Sequence, residues 1–169
     1  MPSDQLQITQ LAARLGELLL AQQAVVTTAE SCTGGGIAEA ITRIAGSSAW
    51  FEAGWVTYSN AQKQALLAVP EQLLVSYGAV SEPVAKAMAE GALVRAQAEL
   101  SVAVSGIAGP GGGTPQKPVG TVCFAWCKGE ISYTRTYVFA GDRQQVRART
   151  VQTALQGLIQ LLETDQPLD

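Results

Sequence analysis

Histidine is absent from the 169-residue sequence. That excludes every Ser-His and Cys-His catalytic arrangement and the HExxH metalloproteases, so a serine nucleophile here needs lysine, tyrosine or a carboxylate as its base. Lysine is scarce too, occurring only as Lys63, Lys86, Lys117 and Lys128. Charged residues make up 15% and hydrophobic residues 47%, lean in charge against the roughly 25% of average soluble domains. Much of the chain must therefore be covered by protein, inside or at a subunit contact, and a homodimer is expected. A net charge of −3 leaves no basic footprint, which sets nucleic acid aside as a partner. No apolar run approaches the ~20 residues of a bilayer span, and Met1-Pro-Ser-Asp-Gln5 lacks the basic flank and apolar core of a signal peptide. No membrane partner and a cytoplasmic location are expected. Of the three cysteines, Cys123 and Cys127 sit four residues apart in a strand-like run, about 13 Å, too far for a disulfide. Without histidine or a CxxC pair, no zinc ligands are grouped, so neither a metal nor another cofactor is expected.

The apolar pattern repeats strand, turn and helix. Leu6, Leu11, Leu15, Leu18 and Leu19 recur at helical steps over Leu6 to Leu20; Ala24 to Thr28 reads as a buried strand and Ile37 to Ile44 as a helix. Gly54 to Tyr58 is β-branched and aromatic, with Asn60 as the N-cap of a helix over Ala61 to Leu67. Pro70 opens another helix that Gly78 ends, Glu82 to Leu100 is alanine-rich and helical, and Ser101 to Ser105 is a strand. Thr121 to Trp126 and Ile131 to Phe139 form a hairpin across Lys128-Gly-Glu130. Gly141-Asp142 starts a last helix, Arg143 to Leu162, with Val146, Val151, Leu155, Leu158, Ile159 and Leu162 inward. The expected fold is one domain over residues 1–169, a three-layer α/β/α sandwich on a mixed sheet of about five strands.

Glycines concentrate at Gly34 to Gly36 and between Gly106 and Gly113, each cluster following a strand, where ligand crevices of open α/β sheets lie. Such turns let a backbone approach a ligand and present N–H groups to an anion; they serve tight helix-sheet packing equally well. Neither matches the dinucleotide or P-loop fingerprint. Ser31 and Cys32 lie where a nucleophile would, at a strand-to-helix turn. A serine there is also an ordinary N-cap, and a helix N-terminus lowers a thiol's pKa. Ser31 is preferred, small buried cysteines being common packing residues. For the base, Lys86 and Lys128 read as solvated surface, leaving Lys63, five residues after Tyr58, and Lys117 in the second glycine loop.

Four stretches carry a resemblance: Ala29-Glu-Ser-Cys-Thr-Gly-Gly35, Val56-Thr-Tyr-Ser-Asn60 with Lys63, Gly106-Ile-Ala-Gly-Pro110, and Gly113-Thr-Pro-Gln-Lys-Pro-Val-Gly-Thr121. Together they resemble the C-terminal domain of the CinA (competence/damage-inducible) family, over nearly the whole chain to about Leu162. Ser105 stands where that family often has threonine, and the hydroxyl is kept. The pyrophosphatase-like domain of longer members does not precede these motifs, which fits the family's stand-alone amidases. The resemblance implies hydrolysis of nicotinamide mononucleotide to nicotinic acid mononucleotide and ammonia in pyridine-nucleotide recycling, with Ser31 as nucleophile and Tyr58 and Lys63 as its partners. Substrate contacts are then expected from Thr33, Gly34, Gly35, Asn60, Ser105, Gly106, Gly109, Gly112 and Thr114. Arg143 and Arg147, four apart beside the start of the last helix, are expected at the phosphate. The alternative is a non-catalytic nucleotide-binding or regulatory module of the same fold, for which the same glycine loops would bind a phosphate without any base.

Overall fold

Strands that are apolar on both faces need cover on both sides. The computed structural model describes residues 2–169. It runs α1 (Pro2–Gln22), β1 (Val26–Glu30), α2 (Gly36–Thr42), a short 3-10 turn (Ser47–Ala49), β2 (Trp55–Val56), α3 (Asn60–Leu67), α4 (Glu71–Tyr77), α5 (Glu82–Ala96), β3 (Leu100–Gly106), β4 (Thr121–Lys128), β5 (Ile131–Val138) and α6 (Arg143–Thr164). The sheet order is β2-β1-β3-β4-β5, with β1 parallel to β2 and β3, and β4 antiparallel to β3 and β5. The mixed five-stranded sheet between helical layers is the architecture that the sequence indicates.

Period-two alternation sorts the core into two halves. Along β4, Val122, Phe124 and Trp126 join the cluster formed with α1, α2 and α6, whereas Cys123, Ala125 and Cys127 join the cluster formed with α5. The α5 side is built from small residues, Ala85, Ala89 and Ala92 meeting Ala29, Ala103 and Ala125, which brings that helix close to the sheet. On the other side Trp126 donates its indole N–H to the Ala154 carbonyl at 3.0 Å, against α6. Gly157 makes this possible, since a Cβ there would stand 2.1 Å from the indole.

Several element ends differ from expectation, each for a local reason. α3 is capped by Ser59, whose side chain accepts from the Gln62 N–H, not by Asn60, which is the first helical residue. α5 stops at Ala96 because Gln97 turns left-handed and donates back to Leu93 and Val94; Leu100 is already in β3. β2 has two residues rather than five, because the Thr57 and Tyr58 carbonyls turn away from the ladder toward a side chain described next.

Candidate active site

Ser31 leaves the end of β1 directly into the glycine turn. Its N–H donates to the Val104 carbonyl of β3 at 3.1 Å, and its carbonyl accepts from the Gly34 N–H at 3.0 Å, so the main chain is held on both sides. Alternation decides what each side chain meets. Ala29 faces the α5 layer, Glu30 the α2 layer, and Ser31 the α5 layer again, where α3 also packs.

From α3 comes Lys63, only 1% exposed. Its Nζ lies 3.1 Å from Ser31 Oγ, 3.0 Å from the Thr57 carbonyl oxygen and 3.3 Å from that of Tyr58. Lys63 takes part in none of the ion pairs among the described residues. Burial, which disfavours the charged form, holds the ammonium below its ordinary value of 10.5. A neutral amine has two N–H groups and one lone pair. The two carbonyls match the first, and Ser31 Oγ is the one neighbour able to give a proton to the second. Nζ donates to Ser31 Oγ as an ammonium; as an amine it accepts from the hydroxyl across the same 3.1 Å contact.

Cys32 is buried in the α1-α2-α6 half of the core, and burial there pushes its thiol up to about 12. This is the reverse of the lowering that a helix N-terminus would give, because desolvation outweighs it. The other lysines lie elsewhere: Lys117 Nζ donates to the Tyr77 carbonyl at the end of α4, Lys86 is exposed and Lys128 pairs with Asp165.

Tyr58 meets Lys63 through its carbonyl, not its phenol. The hydroxyl, on a side chain 60% exposed, accepts from Arg143 Nη2 at 3.0 Å. Arg143 Nη1 donates to the Gly109 carbonyl at 2.8 Å, so one guanidinium joins the loop after β2 to the second glycine loop. One turn along α6, Arg147 Nη2 donates to the Thr33 carbonyl at 3.0 Å, and its Nε is buried without a partner. The two arginines thus reach the two glycine turns. The N–H groups at the start of α6 are partly taken, because Asp142 and Gln145 close a capping box on its first turn.

The remaining expected contacts are spread along the same rim. Ser105 is buried opposite Cys123 in the sheet register, on the α5 face, and follows Val104, to which Ser31 is bonded. Gly106 lies so close to β4 that a Cβ would stand 2.7 Å from Val122 Cγ2. Gly35, Gly109 and Gly112 take positive φ of 104°, 87° and 91°. Thr114 Oγ1 accepts from the Lys117 N–H within the exposed loop, and Asn60 is exposed at the start of α3. A cleft of about 350 Å³ borders the turn at Thr33, Gly36 and Arg147 but includes none of Ser31, Tyr58 and Lys63. Hydrogen-bond geometry, not the concavity, brings Ser31 and Lys63 together.

Glu30 was no part of the sequence expectation. It is wholly buried, and its carboxylate accepts from Thr33 Oγ1, the Ile37 N–H and the Ala38 N–H at 2.5, 2.8 and 3.0 Å. The amides that begin α2 are therefore already taken. The signal was legible: an acidic residue just after the strand-like run and just before a turn rich in glycine.

Comparison with known proteins agrees across the chain. The model of the CinA C-terminal domain matches residues 8–162. The protein called nicotinamide-nucleotide amidohydrolase PncC in Pseudomonas putida is 61% identical over 154 residues, 91% of this chain and 96% of its own. Its namesake in Escherichia coli K12 is 54% identical over 156 residues, covering 91% and 94%. The crystal structure of competence damage-inducible protein A from Klebsiella pneumoniae superposes with a TM-score of 0.91 at 40% identity, covering 94% of this chain and 99% of that one. A match over this length and identity places the chain in the CinA C-terminal domain family.

Proposed function

We propose that this chain is a nicotinamide-nucleotide amidase, which hydrolyses the carboxamide of nicotinamide mononucleotide to nicotinic acid mononucleotide and ammonia in pyridine-nucleotide recycling. The names of the P. putida and E. coli relatives support the substrate. The observation that carries the mechanism is the buried Lys63 Nζ, held by two carbonyl oxygens and facing Ser31 Oγ. Neutral Lys63 takes the Ser31 proton as Oγ attacks the amide carbon, and the carbonyl π electrons move onto oxygen. Amides of the glycine turn that do not close it, such as that of Gly35, are suited to this oxyanion. Collapse breaks the C–N bond, Lys63 returns the proton to the leaving nitrogen, and ammonia departs. Water, deprotonated by the same lysine, then attacks the ester carbon, the acyl–Oγ bond breaks, and Lys63 returns that proton to Ser31 Oγ as nicotinic acid mononucleotide leaves. The pyridinium cation of the substrate disfavours the ammonium form of Lys63 and so helps to keep the base neutral.

Arg143 and Arg147 are positioned for the phosphate, and Tyr58, bonded to Arg143, for orienting the nucleotide over Ser31. Self-association as a homodimer belongs to the same reading, with sedimentation as its test. The direct test of function is ammonia release from nicotinamide mononucleotide by the purified chain. Ser31→Ala should abolish release and Cys32→Ala keep most of it. Nucleotide binding without release by the unaltered chain would leave a binding module instead.

A further inference from the structure

The Glu30 carboxylate is the buried charged group to which the acyl-transfer steps give no task. Helix α2 needs it, because its N-cap, Gly35, has no side chain with which to bond the first-turn amides. Glu30 reaches those amides from the preceding strand, accepting from Ile37 N–H and Ala38 N–H, while Thr33 Oγ1 donates to it from inside the turn. Its main chain is bonded to the segment that holds the lysine. The Thr57 N–H donates to the Glu30 carbonyl at 2.9 Å, and the Thr57 carbonyl accepts from Lys63 at 3.0 Å. One residue is thus bonded through its side chain to the turn that follows Ser31 and through its carbonyl to the segment that cradles Lys63.

We infer that Glu30 is a positioning residue for the acyl transfer, fixing the turn so that Ser31 Oγ stays set against Lys63 Nζ. This rests on Ser31 and Lys63 being the reacting pair, but not on the identity of the amide. The carboxylate also closes the start of α2 to anions, so the substrate phosphate is directed to the arginines of α6.

Two substitutions in the full chain test it. Glu30→Gln keeps the size but presents an NH₂ donor to groups that are themselves donors. Thr33→Val removes one of the three donors and leaves both amides bonded. The primary measurement is the rate at which a fluorophosphonate labels Ser31, read by mass, at a temperature where circular dichroism shows each variant folded. Labelling and kcat for nicotinamide mononucleotide should fall about 100-fold in Glu30→Gln, as displacement of a reacting group by about 1 Å does, and by less in Thr33→Val. KM should stay within about twofold in Glu30→Gln, which alters no expected substrate contact, whereas Thr33 is itself an expected contact and Thr33→Val is judged on the labelling rate alone. A lowered melting temperature with unaltered labelling in the folded protein would assign Glu30 to stability alone and overturn the inference. Should Glu30→Gln not fold, Thr33→Val decides by the same criterion. If the unaltered chain takes the probe yet releases no ammonia from the nucleotide, the substrate is wrong, and the labelling comparison still decides the role of Glu30.

Discussion

Burial of Lys63 has consequences for stability and, in the proposed reaction, for catalysis. With the folded value held below 10.5, the unfolded chain binds the extra proton in the window between the two, so the contribution of Lys63 to stability should rise with pH across it. The urea midpoint of the unaltered chain relative to that of Lys63→Met, measured in buffered steps up to 10.5, should show that rise, because the buried thiols that pull the other way above 9.0 are common to both. Cys32 makes the contrasting case: a thiol pushed up to about 12 and packed in the core should resist iodoacetamide in the native protein and react only on unfolding. The arginines should separate as well. Arg143 bonds an exposed phenol and a loop carbonyl, so Arg143→Ala should chiefly raise KM for the nucleotide; Arg147 also holds the Thr33 carbonyl, so Arg147→Ala should lower kcat too. Steady-state kinetics of both variants check this, and unchanged constants would move the phosphate to the second glycine loop.

At the scale of elements, the position of Lys63 depends on how near α3 sits to α5. A Cβ at Gly91 would stand 2.1 Å from the Leu67 carbonyl oxygen, one helical turn beyond Lys63. Gly91→Ala should therefore push α3 outward, costing about 1–3 kcal/mol in denaturant unfolding and slowing ammonia release. Gly157→Ala, against the Trp126 indole, should cost a similar amount without a comparable loss of activity in the folded fraction, because α6 there is far along the helix from Arg143 and Arg147. The elements themselves were legible wherever a local pattern decides them. Strands apolar on both faces implied two helical layers, and the hairpin glycine, Gly129, marked the β4-β5 turn. What the pattern missed was decided by distant partners. β2 is short because Lys63 draws the Thr57 and Tyr58 carbonyls, and α2 needs no local cap because Glu30 supplies one from another element. The absence of histidine left lysine, tyrosine or a carboxylate as the base of a serine nucleophile, and it was the family resemblance that pointed to Lys63. The direct contact of Lys63 with Ser31 was not legible, because it follows from where α3 docks.

Across the whole molecule, the sheet brings the ends of β1 and β3 together, and helices from opposite layers then supply unlike chemistry: a desolvated amine from α3 and guanidinium groups from α6. No cluster of three metal-ligating side chains occurs among the described residues, and the base of the proposed reaction is a lysine, so ammonia release should survive exhaustive chelation. The account depends most on Lys63 acting as a base rather than as a fixed charge. The pH profile of ammonia release from nicotinamide mononucleotide, measured for the unaltered chain beside Lys63→Arg, separates the two. The unaltered enzyme should gain activity with rising pH through one ionisation below 10.5. Lys63→Arg, whose guanidinium keeps its proton, should be inactive throughout. An active Lys63→Arg enzyme with the same rise would contradict the account and move the base to Tyr58.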